Sequence, residues 1–236
     1  AYDVRIEGEG VEVKKIHKAD SPNYLFVDVA IDKNAAAGTY YLVFSQGEEQ
    51  FKVGYEIAAR REGSRERKSF TTADAIYLIM PDRFANGNAE NDSTDDTVDK
   101  AARKEFYGRH GGDIQGVIDN LDYIADMGMT AIWSTPMLLD NEPFASYHGY
   151  ACADYYHIDP RMGDNELYRT MVKEAHARGI KVIMDMVTNH CGISHWWVKD
   201  MPFEDWVHKW DSYTQSNWTF STNMDFNASK SDLYQM

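Results

Sequence analysis

The chain has 236 residues, 43% of them hydrophobic, which is enough for one large domain or for a small one beside a medium one. A formal net charge of −14 argues against nucleic-acid backbones and anionic membranes as partners. It suits a protein that handles a neutral or cationic ligand. No apolar run approaches the length needed to span a bilayer. Cys152 and Cys191 have no ligand-like spacing and make no disulfide framework. The start at Ala1 without Met suggests a processed or trimmed N-terminus, which suits a periplasmic or secreted protein, with the cytoplasm as the alternative.

Residues 1–57 read as short antiparallel strands. Leu25, Val27, Val29 and Ile31 alternate with Phe26, Asp28 and Ala30, and Phe51, Val53, Tyr55 and Ile57 show the same period. Turn-forming stretches at 19–22, 34–38 and 46–47 separate the runs. The expectation is a small β-sandwich. Residues 58–69 (AARREGSRERKS) are charged, lack an apolar period and read as a linker.

From Phe70 the pattern changes to strand alternating with helix. Residues 75–80 (AIYLIM) and 130–134 (TAIWS) are predicted strands. Between them, Ile114, Val117, Ile118, Leu121, Ile124 and Ala125 recur at helical spacing, which predicts one helix ending before Gly128. A second helix, capped by Asp164 or Asn165, carries Leu167, Met171, Val172 and Ala175 and stops at Gly179. The third strand begins KVIMDM at Lys181 and reads as buried on both faces. This alternation predicts a parallel sheet with right-handed crossovers. A closed barrel takes eight such strands, so a three-strand piece leaves one face uncovered. Trp133 is expected to be buried in the barrel.

Polar motifs follow each of these strands. PDRFANG (81–87) follows the first, and YHGY (147–150) with ADYYHIDP (153–160) the second. Asp185, Asn189 and His190 close the third. A carboxylate in a buried strand costs several kcal/mol unless it is paired or used. Taken alone, Asp185 and His190 fit a satisfied core aspartate and a loop histidine as well as they fit a site. Aromatic residues are 13% of the chain, including Trp196, Trp197, Trp206, Trp210 and Trp218. Such rings suit sugar faces as well as a protein core.

The ordered set of motifs resembles the α-amylase family of glycoside hydrolases, most closely its cyclomaltodextrinase and neopullulanase branch. The resemblance implies an α/β fold: the first three βα units of a (β/α)8 TIM barrel over 70–236, with the start of an inserted loop domain from Trp196, preceded by an immunoglobulin-like β-sandwich. It implies retaining hydrolysis of α-glucosidic bonds in maltodextrins, cyclodextrins or pullulan. Transglycosylation, isomerisation and non-catalytic α-glucan binding are the alternatives. Tyr150 matches the tyrosine that stacks on the sugar at the cleavage point, and His148 a histidine that helps hold it. His190 matches a histidine that hydrogen-bonds the same sugar, and Asp185 an aspartate that supports an arginine near the nucleophile. The nucleophile and general acid are expected beyond Met236, so no catalytic pair is assigned within the chain. The branch also implies one calcium ion, held here by Asn86, Asn88, Asn91, Asp92, Gly111 and Asp113, with Asn88 standing where an aspartate is usual. An Asn/Gly-rich turn without metal is the plainer reading of that loop. The implied partners are an α-glucan oligosaccharide and a second copy in a homodimer.

Overall fold

A computed structural model describes residues 3–207, so Trp210, Trp218 and most of the expected inserted domain lie outside the described residues. The chain divides into two compact units, Ala1–Ser69 with Met201–Glu204, and Phe70–Asp200 with Asp205–Met236.

The first unit is all β. Strands β1 (Asp3–Glu7), β4 (Gly38–Gln46) and β5 (Glu49–Ile57) form one antiparallel sheet, while β2 (Val11–Lys18) and β3 (Leu25–Ile31) pair as a second. Val4, Val11, Tyr40 and Val43 form its small core. Gly8, at φ +136°, is required because a Cβ there would lie 2.2 Å from the Tyr40 ring. Three of the alternating apolar positions, Ile31, Phe51 and Val53, are exposed rather than core. Ile31 ends its strand and stays exposed, and exposed Phe51 stacks on Phe44 across the β4–β5 register with centroids 4.9 Å apart. The segment Met201–Glu204 belongs to this unit. Asp20 and Ser21 donate backbone hydrogen bonds to the Pro202 carbonyl, and Phe203 stacks on Phe26 at 5.5 Å.

The second unit is built on a parallel three-stranded sheet ordered β10–β7–β6, with β6 Ile76–Ile79, β7 Ala131–Ser134 and β10 Lys181–Met184. Its strands are tied together at their N-terminal ends by Asp74. That carboxylate accepts from Lys181 Nζ at 2.7 Å and from Thr130 Oγ1 at 2.9 Å, and the Lys181 ammonium holds its pKa down to about 2.

One face of the sheet, through Ile79, Ile132 and Val182, packs on helices α2 (Ile114–Asp119), α3 (Leu121–Asp126) and α4 (Asn165–Ala177). The other face is open: Leu78 is 59% and Trp133 40% exposed. This is the face that three strands of a barrel were expected to leave uncovered. Among the described residues Trp133 is therefore exposed, and β10, expected to be buried on both faces, is an edge strand that ends at Met184, leaving Asp185 and Met186 beyond it.

The helix expected over 114–125 is two helices. At Asn120 the side-chain amide donates to the Gly116 carbonyl at 2.8 Å and the backbone leaves the helical region at φ −110°, ψ 13°. The apolar face runs on through the break, since Ile114, Val117, Leu121 and Ile124 are all fully buried. Asp164 is the cap of α4, accepting from Leu167 N at 2.7 Å. Asn165 instead ties the Ile158 amide and the Tyr156 carbonyl to the helix start. The short helix α1 (Pro81–Phe84) follows β6, the strand pair β8 (Leu138–Asp140) and β9 (Cys152–Ile158) follows β7, and the short helix α5 (Trp196–Lys199) follows β10. No helix among the described residues is long and apolar enough to cross a membrane.

Candidate active site

The loops after β6, β7 and β10 carry the polar motifs. In the β7 loop a 3₁₀ turn, Ser146–His148, presents Tyr150. Gly149 makes that presentation work. Its φ is +79°, and a Cβ there would lie 2.0 Å from the Pro136 carbonyl oxygen. Gly149→Ala is therefore expected to cost roughly 1–3 kcal/mol of backbone strain, with the clash added. It should lower the melting temperature and activity together, and an unaltered melting curve would contradict this account.

The four expected substrate-binding residues lie in one hydrogen-bonded group. Asp185 Oδ2, one residue past β10, accepts from the Tyr150 hydroxyl at 3.3 Å and from Trp133 Nε1 at 3.1 Å. His190 Nε2 lies 2.9 Å from the Tyr150 carbonyl oxygen, which only accepts, so that nitrogen carries the proton. Tyr155, from β9, donates its hydroxyl to the His190 carbonyl at 2.7 Å and fixes the histidine from below. His148 Nδ1 accepts from the Tyr150 amide at 3.0 Å, and the two rings are 5.8 Å apart.

Electrostatics follow from burial. Desolvation lowers the His148 pKa, with Arg109 and His190 adding to the effect, so its imidazole is neutral at physiological pH. Burial raises the Tyr150 hydroxyl, helped by Asp185. Asp140 lies beneath the loop and is pushed up to about 8, mainly by burial, while it accepts from the amides of Glu142 and Ala151. With the His148 pKa lowered by burial, its 3.8 Å approach to Asp140 is not an ion pair.

Trp133 was missed as a site residue, although a signal was present. It pairs in register with Ile183, two residues before Asp185, and period-2 alternation puts both side chains on one face. Arg109 was missed as well. It is buried, donates to Ser146 Oγ at 3.1 Å and lies 3.9 Å from Asp159.

The loop expected to hold calcium is organised around two aspartates. Asp82, in α1, accepts from the amides of His110 and Gly111. Asp113 caps α2 through Gly116 N at 2.6 Å and also accepts from the amides of Gly87 and Asn88. Asn88 Oδ1 accepts from Glu90 N at 3.1 Å. Asn86 Nδ2 donates to Asp92 Oδ1 at 2.6 Å, and Gly111 presses on both, so that a Cβ there would lie 2.5 Å from Asp92 Oδ1. Asn91 Oδ1 is buried without a hydrogen-bond partner among the described residues. An orphaned acceptor beside a carboxylate fits a hard cation. No group of three or more His, Cys, Asp or Glu residues is placed to hold a metal among the described residues, so a cation here would rely on the Asp92 carboxylate together with amide and carbonyl oxygens.

This arrangement of ring, imidazole and carboxylate at the C-terminal ends of parallel strands can orient a polyhydroxylated ligand by stacking and hydrogen bonding. The family model described as alpha amylase, catalytic domain, matches residues 78–231, well over half of the chain. The chain belongs to the α-amylase family. A second family model, cyclomaltodextrinase, N-terminal, matches residues 1–61. Among family members, the cyclomaltodextrinase of Thermoanaerobacter pseudethanolicus is 38% identical over 157 residues, covering 65% of this chain and 26% of that protein. Neopullulanase 2 of Thermoactinomyces vulgaris is 40% identical over 168 residues, 68% of this chain and 27% of that protein. The chain thus spans about a quarter of the length of these curated relatives. A crystal structure of an Anoxybacillus α-amylase is similar at a TM-score of 0.54 and 42% identity, over 61% of this chain and 30% of that one.

Proposed function

We propose that the full-length protein hydrolyses α-glucosidic bonds in maltodextrins, cyclodextrins or pullulan with retention of configuration. The observation that carries this reading is the convergence of Tyr150 and Trp133 on Asp185, with His190 clasped to the Tyr150 carbonyl. The relatives named as cyclomaltodextrinase and neopullulanase support the substrate class. Retaining cleavage needs a nucleophile and a proton donor some 5 Å apart on either side of the bond. Asp185, hydrogen-bonded by two donors, is read as a positioning carboxylate, and the family resemblance puts both reacting carboxyl groups beyond Met236. The same proposal makes the parallel sheet the first part of a (β/α)8 barrel, whose interior would cover the open face at Leu78 and Trp133. The first unit would be an immunoglobulin-like sandwich.

The test is incubation of the full-length protein with maltotriose, β-cyclodextrin and pullulan, with analysis of products and their anomeric form. Release of α-configured maltose or glucose supports the reading. Inverted products, or no cleavage of any of the three, would refute it, and longer oligosaccharides formed from maltotriose would assign transglycosylation instead.

The calcium site is part of this proposal, with Asn86, Asn91, Asp92 and Gly111 as its centre. When bound, the ion would brace the β6 loop against α2. Calcium should then raise the melting temperature of the full-length protein by mass action. Asp92→Ala should abolish that rise, and it is a cleaner variant than Asp113→Ala, which would also remove a helix cap worth about 1 kcal/mol. Melting indifferent to both calcium and chelator in the wild type would exclude the site.

A further inference from the structure

The loop 101–109 closes on itself. Ala102 N donates to the Arg109 carbonyl at 2.9 Å, Glu105 N to Ala102 O, and Gly108 N to Glu105 O. Gly108 is required there, since a Cβ would lie 2.3 Å from Ala102 O. At the tip of this pinned loop stand Phe106 and Tyr107, 82% and 51% exposed. Phe144, 67% exposed, comes up beside them from the loop after β8. Phe106 and Tyr107 meet edge to face at 4.8 Å, and Tyr107 and Phe144 lie 5.6 Å apart. Single exposed apolar side chains are ordinary, but among the described residues these three aromatic rings touch one another and together present a contiguous apolar surface.

The cluster is continuous with the candidate active site. Arg83 donates to the carbonyls of Phe106 and Gly108, and its guanidinium lies 4.0 Å over the Tyr147 ring. Tyr147 in turn stands 5.5 Å from His148, the neighbour of Tyr150.

We propose that Phe106, Tyr107 and Phe144 form a second sugar-binding platform, which stacks on glucose units of the same α-glucan chain at a distance from the unit held by Tyr150. The inference rests on the α-glucan reading above and adds to it a preference for chain length. The C–H face of a neutral glucose ring needs flat apolar surface without charge, which these rings supply. A trisaccharide held at Tyr150 gains less from the platform than a longer chain does.

The test is steady-state kinetics of the full-length protein on maltotriose and maltoheptaose, read as the ratio of the two kcat/KM values. The double variant Phe106→Ala/Phe144→Ala is expected to lower the heptaose-to-triose ratio about tenfold, chiefly through KM on the longer sugar. Phe106→Trp, which keeps a stacking face, should hold the ratio within about twofold of wild type. Both positions are exposed, and circular dichroism checks that the variants fold. A ratio unaltered in the double alanine variant overturns the platform and leaves the proposed activity standing. A wild-type protein that cleaves neither sugar overturns both.

Discussion

His190→Ala in the full-length protein is expected to lower kcat and kcat/KM together by roughly 30- to 1000-fold, with Tyr150→Ala behaving alike. The reason lies in when these contacts are strongest. Both residues are proposed to touch the sugar whose ring distorts, and a hydrogen bond that tightens as charge develops stabilises the transition state more than the ground state. Losing it costs about 2–4 kcal/mol at the barrier. A contact equally strong in both states would raise KM and spare kcat. In this structure His190 also donates to the Tyr150 carbonyl, so the two variants should not be additive. Steady-state kinetics on a maltooligosaccharide decide the matter, with circular dichroism as the folding control. Near-normal kcat in a folded His190→Ala protein would reduce this histidine to a brace for the Tyr150 loop.

Arg161→Met is expected to destabilise the protein by about 3–5 kcal/mol without touching the substrate. The guanidinium is fully buried, and each of its three nitrogens has a hydrogen-bond partner. Nε and Nη2 grip both oxygens of Asp159 at 2.9 and 2.7 Å, Nη1 donates to the Asp99 carbonyl at 2.7 Å, and Nη2 also donates to the Asp140 carbonyl. Removing it leaves the buried Asp159 carboxylate with two backbone amides, Asp140 N at 3.3 Å and Arg161 N at 2.9 Å, and with Arg109 at 3.9 Å, too far to hydrogen-bond it. Replacing both partners tests the cause. If stranded charge is the penalty, Arg161→Met/Asp159→Leu should recover a large part of the loss in guanidinium-induced unfolding. A double variant as unstable as the single one would mean that shape, not charge, sets the cost.

This buried network was hidden in the sequence for a physical reason. Nothing in the sequence singles out Arg109, Asp140, Asp159 and Arg161 as partners, and only the fold buries them together with the half-buried Asp99 beside them. The reverse holds for the motifs. The YHGY stretch with Gly149, and Gly111 with Asp113, were legible through the family resemblance, and the structure supplies a physical reason for the glycines: Gly149 turns against Pro136, and Gly111 against Asp92 and Asn86. Asp164 as a helix cap and Gly179 as a helix stop follow from local backbone chemistry alone. The break at Asn120 does not, because the apolar period passes straight over it and one side-chain amide decides it. Trp133 lies on the face that the three described strands leave open, and strand composition gives the alternation of faces without saying which one is covered.

The first unit draws on two distant parts of the chain. Phe203 and the Pro202 carbonyl complete contacts with Phe26, Asp20 and Ser21, and Glu204 N donates to Asp20 Oδ2 across 184 positions. A ribosome making this protein therefore releases the N-terminal strands long before their last neighbours exist. During that interval the Phe26 ring has no stacking partner from this segment, and closing so long a loop is slow relative to local pairing. The first unit is thus completed only when a segment 184 positions further along the chain has been made, so its last contacts form after its own strands can pair.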